Sequence, residues 1–145
     1  MSASFSIRDG LSPALRKKLA RISDKRPILA AAGAALAGVA TRAFRDPALR
    51  PAEWAPLAAS TLRRKKAGGP LIDTGALYRS VIAAEPGSDS VEVGSDREYS
   101  LFHQFGTRRM PARPFFPADA GGNLTAPGRQ AVLEAAGAAV RAALR

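Results

Sequence analysis

Proline placement constrains this chain more than any other single feature. Of its 11 prolines, Pro13, Pro27 and Pro127 stand where helices can start, because a first-turn proline gives up no intrahelical N–H bond. Pro47, Pro51 and Pro56 crowd the neighbourhood of the only tryptophan, Trp54, and Pro111, Pro114 and Pro117 forbid a helix interior over 111–117. Three helical windows therefore alternate with stretches that must be irregular or extended.

Periodicity fills those windows. Behind Ser12 and Pro13, Leu11, Leu15, Leu19 and Ile22 recur at helical spacing, with Arg16, Lys17, Lys18 and Arg21 on the other faces, which predicts a short amphipathic helix. Asp24 and Pro27 open a second helix predicted to run to about Phe44, its apolar face built from Leu29, Leu36, Val39, Ala40, Ala43 and Phe44. Gly33, Ala34 and Gly38 keep that surface shallow enough for another backbone to come close. A third helix is predicted from Pro127 to Ala143, with Val132, Leu133, Ala136, Val140 and Leu144 facing the core.

Between the helices the pattern changes. Asp46 to Pro56 reads as a loop pinned by Trp54, and residues 60–70 place Arg63, Arg64, Lys65 and Lys66 before a Gly-Gly-Pro breaker, which predicts a mobile basic loop. Asp73 or Thr74 can cap a helical turn around Leu77 and Tyr78. Val81–Ala84 and Val91–Gly94 then flank the turn-former Pro86-Gly87-Ser88-Asp89, a β-hairpin. Asp96 is a candidate cap for a short helix through Tyr99, Phe102 and His103, and 111–117 should be extended, suited to an edge strand. The expected fold class is α+β: N-terminal helices, a small central antiparallel sheet with a short helix, and a C-terminal helix packed on it. Residues 1–145 are expected to form one domain, divided into a helical part (1–45), a proline-rich loop with the basic tract (46–70) and an α+β core (71–145).

Composition narrows the function. The hydrophobic share is 46% but only 6% of residues are aromatic, so the core should be thin, with part of its stability supplied by partner subunits. The net charge of +10 lies wholly in the first half, where residues 1–66 carry 14 Lys/Arg against 4 Asp/Glu while residues 67–145 carry 8 of each. Such asymmetry supports attraction to DNA, acidic protein or membrane surfaces. With no cysteine there can be no disulfide or zinc-thiolate site, and an intracellular setting fits. The apolar run 28–40 is too short to span a bilayer and a poor signal peptide, so a buried or subunit-facing helix is the better reading.

Catalytic chemistry finds little support. His103 is the only histidine and there is no cysteine, so a transition-metal site would have to be completed by carboxylates alone, a poor ligand set. Ser100, His103 and Asp96 make a triad only on paper, with no nucleophile elbow, and the glycine pairs match no phosphate loop. Arg63, Arg64, Lys65 and Lys66 can neutralise phosphates or remain solvated, but no aromatic residues interleave with them to stack bases.

Three segments look over-specified for packing alone: 71–80, holding Thr74, Gly75, Leu77 and Ser80; 99–106, holding Tyr99, His103, Gln104, Phe105 and Gly106; and 111–117, holding Pro111, Arg113, Pro114 and Phe115. As core, they would have His103 and Gln104 bonded to backbone and Arg113 paired with Asp73, Asp96 or Glu98. The stretch 99–116 holds five of the nine aromatics, so Phe102, His103, Phe105 and the Pro111–Phe116 segment are expected to form one unit, the extended segment a sheet strand beside the short helix.

In order along the chain, Phe44 and Pro47, Trp54, Thr61 and Lys65, the "TG-x-L-x-x-S" turn at Thr74, Gly75, Leu77 and Ser80, the "V-x-VG" of Val91, Val93 and Gly94, Tyr99 with His103-Gln104-Phe105-Gly106, and Pro111 to Phe115 resemble the phage virion-morphogenesis family. These are the tail-completion proteins of Mu-like and related tailed phages, similar to neck and minor tail components. The Arg108-Arg109-Met110 connection is shorter than that pattern. The resemblance implies a structural assembly protein of the tail or head–tail junction, with no catalytic, cofactor or metal residue. It implies tail terminator, tail tube and head–tail connector as partners, a homo-oligomeric ring of six around the axis, and a place in the virion after assembly in the host cytoplasm. Passing contact with DNA and no membrane contact are expected. The other reading of the residues is a basic, non-specific DNA-binding protein.

Overall fold

The computed structural model describes residues 2–6, 13–20, 23–66 and 68–145. In chain order its elements are β1 (Ser2–Ser6), α1 (Pro13–Leu19), α2 (Arg26–Arg42), a 3-10 turn (Pro47–Leu49), α3 (Ala59–Arg64), α4 (Ala76–Arg79), β2 (Val81–Ala83), β3 (Ser90–Ser95), α5 (Ser100–Phe105) and α6 (Ala126–Ala143). The fold is α+β, with α6 packed on α2.

The hairpin forms as its turn residues dictate, Val81 pairing with Ser95 and Ala83 with Val93 in antiparallel register. The sheet has a third member that the sequence reading did not assign. Ser2–Ser6 lies antiparallel on the other side of β3, giving the order β1-β3-β2, so the N-terminal part opens with a strand rather than a helix. Short serine-rich alternation carries too little apolar signal to announce itself. β3 alternates as a half-buried strand should, with Val91 and Val93 inward and Glu92 outward.

α2 is the central element, covering the sheet on one side and α6 on another. Ile28, Leu29, Ala32, Leu36, Val39 and Ala40 are all buried. Gly33 explains how closely helix and sheet approach: a Cβ there would lie 2.9 Å from Val91 Cγ2. Gly38, by contrast, faces open space. Asp24 opens the helix by accepting hydrogen bonds from the backbone N–H and the guanidinium of Arg26. That guanidinium holds the Asp24 carboxyl at a pKa of about 2. Ser12, Leu11 and Ile22, assigned to the cap and apolar face of α1, lie outside the described residues.

Beyond α2 the chain turns at Phe44, the centre of the core. Its ring meets Trp54 and Tyr78 edge-on, with centroids 6.3 and 5.7 Å away, and Phe115 at 4.9 Å. Arg50 closes this corner by donating to the carbonyls of Ala43 and Phe44 at the C-terminus of α2 while its guanidinium lies 3.6 Å over the Trp54 ring.

Four expectations need correction. The basic tract is not wholly irregular, since Ala59–Arg64 forms α3; arginine and leucine favour helix, and the glycine pair acts only downstream. Asp96 does not cap α5, whose N-cap is Tyr99; instead Ser95 Oγ accepts from Arg97 N–H and Asp96 sits exposed beside Arg97. Segment 111–117 is extended but joins no sheet, because a side chain takes the place of a neighbouring strand. Leu133 is 64% exposed: one residue past buried Val132, it is rotated about 100° off the core-facing stripe.

Candidate functional site

The side chain standing in for a strand is Gln104. Its Oε1 accepts from the N–H groups of Phe115 (3.1 Å) and Phe116 (3.0 Å), and its Nε2 donates to the Phe116 carbonyl at 3.4 Å. The amide thus pairs with the extended segment as a peptide group of an adjacent strand would, which satisfies backbone groups that burial would otherwise leave without partners. One residue earlier, the His103 carbonyl accepts from Arg113 N–H at 2.7 Å.

Gly106 ends α5 at φ 75°, and a Cβ there would stand 2.8 Å from the Ala112 backbone nitrogen. Only glycine meets both conditions. Thr107 and Met110 then pair across Arg108 and Arg109, reversing the chain. The contiguous His103–Gly106 signal and the Pro111–Phe115 signal are therefore the two sides of one hydrogen-bonded clasp.

A second clasp joins distant segments. Trp54 Nε1 donates to the Pro114 carbonyl at 2.7 Å, and Arg113 donates from Nε to Ala55 O (3.0 Å) and from Nη2 to Pro56 O (2.9 Å). Arg113 is 8% exposed and pairs with carbonyls rather than with Asp73, Asp96 or Glu98. The proline-rich loop supplies these acceptors because its prolines remove competing N–H groups and hold it extended.

The Thr74–Ser80 motif is equally local in purpose. Thr74 Oγ1 accepts from Ala76 N–H, Gly75 takes φ 82°, and Leu77 is buried. Ser80 Oγ bonds the Leu77 carbonyl and Ser95 Oγ, both at 2.6 Å, tying α4 to the end of β3 next to Gly94.

The expected unit of aromatics splits. Phe115 and Phe116 are core, whereas Phe102 (53% exposed) and Phe105 (67%) face outward on α5 beside Leu101 and Tyr99. Among the basic residues, Arg63, Arg64 and Lys66 are exposed, and Lys65 turns inward to donate to the Ile72 carbonyl.

The paper triad does not assemble: the Ser100 hydroxyl and His103 Nδ1 are both buried without a hydrogen-bond partner. Burial, helped by the nearby Arg113 charge, pulls the His103 pKa below its ordinary 6.5 and favours the neutral ring. Among the described residues no cluster of three His, Cys, Asp or Glu groups could hold a metal, and no described helix is long and apolar enough to cross a membrane. A cleft of about 640 Å³ opens beside the second clasp, lined in part by Lys65, Leu71, Leu77, Tyr99, Arg109 and Arg113.

The arrangement defines a class: a small α+β protein in which most motif residues hold its own chain together, while Tyr99, Leu101, Phe102 and Phe105 form an exposed apolar face at α5. The chain belongs to the phage virion morphogenesis family, whose model matches residues 6–141. It is accordingly a phage virion assembly protein. No curated protein and no solved structure matches it.

Proposed function

We propose that this chain completes the tail or neck of a tailed phage, joining or capping it at the head–tail junction through protein–protein contacts, without catalysis. The observation that supports this reading is the outer face of α5. Tyr99, Leu101, Phe102 and Phe105 are 39 to 67% exposed on one short helix, inside the segment that carries the family signal. Large apolar side chains gathered on a surface mark docking sites. A homo-oligomeric ring of six copies around the tail axis is part of the proposal, since a ring must match the symmetry of its neighbour. Tail terminator, tail tube and connector are the proposed neighbours.

The test is a Phe102→Asp, Phe105→Asp double variant. The two side chains are 53% and 67% exposed, so the variant should stay folded, with a loss of stability of no more than about 2 kcal/mol. A phage lacking the gene, complemented with this variant, should accumulate unjoined heads and tails. Normal particles would overturn the docking role of α5. A passing contact with DNA is supported by the exposed Arg63, Arg64 and Lys66; reversing those charges should then weaken salt-sensitive duplex binding without changing the melting temperature.

A further inference from the structure

The cleft beside the second clasp has a charge imbalance that no ion pair among the described residues resolves. Three cationic side chains, Lys65, Arg109 and Arg113, line it against the single carboxylate of Asp73. Among the described residues no carboxylate lies within ion-pair distance of any of the three. Arg113 is held by two carbonyls through Nε and Nη2, while its Nη1 has no hydrogen-bond partner among the described residues and so keeps an unused donor. A carboxylate is the group that a planar guanidinium edge pairs with best.

The rest of the cleft is mixed, with apolar walls beside Thr61, Thr74, Tyr99 and His103. Leu71, Leu77 and Met110 lie on its walls, and Leu71 is the one non-glycine residue among those described with positive φ, at 64°. That conformation belongs to the turn Gly69-Pro70-Leu71-Ile72, in which proline precedes the positive-φ position and Ile72 N–H donates to the Gly69 carbonyl at 3.1 Å. Lys65 Nζ donates to the Ile72 carbonyl and so ties the turn to the end of α3 at the cleft wall. The volume, about 640 Å³, suits a few residues of an extended peptide and is too confined for a duplex.

Resting on the assembly role proposed above, we propose that this cleft receives an acidic segment of a partner virion protein, with a Glu or Asp seated against Arg113 and Arg109 and an adjacent apolar side chain against Leu71 and Met110. Tyr99 lines the cleft and belongs to the exposed face of α5, so the pocket and that face form one continuous contact surface. Positive charge at its rim steers the acidic segment in, and apolar burial holds it.

The probes are overlapping 12-residue synthetic peptides covering every virion protein of the same phage, this chain included, tested against the intact protein. Bound peptides should come from another virion protein and carry an acidic residue next to an apolar one. Arg109→Glu should weaken their binding at least tenfold while Arg109→Lys retains most of it, and both variants should melt as wild type because the Arg109 side chain makes no contact the fold uses. Inorganic phosphate at millimolar concentration should not displace them. Four results would each overturn the proposal: no peptide bound, binding indifferent to Arg109→Glu, displacement by phosphate alone, or capture only of peptides from this chain, which would make the occupant a second copy. If Arg109→Glu phage assemble normally while the Phe102→Asp, Phe105→Asp phage do not, the cleft proposal fails and the assembly role stands.

Discussion

Arg113 brings a charge into the fold and meets only carbonyl oxygens there. Removing it leaves the part-buried Ala55 and Pro56 carbonyls without their donors and empties the space its own buried side chain fills, and Phe115, fully buried against Phe44, has no space to be truncated without a cavity. Arg113→Ala should therefore cost about 2–4 kcal/mol and Phe115→Ala about 3–5 kcal/mol, read as lowered thermal midpoints of the purified proteins. Unchanged melting with lost infectivity would move both residues from core to interface. His103 gives a pH signature. Its folded pKa lies below the ordinary 6.5, so above that pH both states are neutral and nothing changes. As pH falls through 6.5 the unfolded chain takes up a proton that the folded one resists, and stability drops. The melting temperature of the wild type should fall between pH 7 and 5.5, and that of His103→Asn should fall less. Asp24 and Asp119, both held below 3.8 in the fold, lose their contribution only in more acid solution, so the two windows do not overlap.

At the scale of elements, α3 and α5 are short helices of 6 residues each, well below the length at which a helix is stable by itself. α5 is anchored through Gln104 and buried Ser100, whereas α3 has no buried residue and ends in exposed Arg63 and Arg64. Limited trypsin digestion should cut first after Arg63, Arg64 or Lys66, ahead of any site in α2. Survival of that tract while 26–44 is cleaved would mean that the N-terminal helix, not the tract, is the loosely held part. Lys65 should be spared in the early digest, since its ammonium is engaged with the Ile72 carbonyl.

For the whole molecule, the clasps fix 50–56, 99–106 and 111–117 around Phe44, and the face of α5 outside that knot is left exposed. A particle reconstruction should find six copies around the tail axis with α5 at a contact. A single copy per particle, or a position off the axis, would refute the ring, although a monomer in dilute solution would not, because assembly can require the neighbouring tail as template.

What the sequence determined by itself is whatever short-range chemistry controls. Prolines placed the starts of α2 and α6, the Pro86–Asp89 turn-former marked the hairpin, and the ordered motifs marked the family, since each depends on backbone restraints within a few residues. Sequence spacing could not say that Gln104 would serve as a strand for 115–116, that Arg113 would choose carbonyls 57 and 58 residues away over nearby acids, or that β1 would join the sheet. Nor could it separate buried Phe115 from exposed Phe105, two phenylalanines in neighbouring motifs. Those outcomes rest on which surfaces of α2, the sheet and the Trp54 loop come together, and only the packed tertiary structure brings these surfaces into contact.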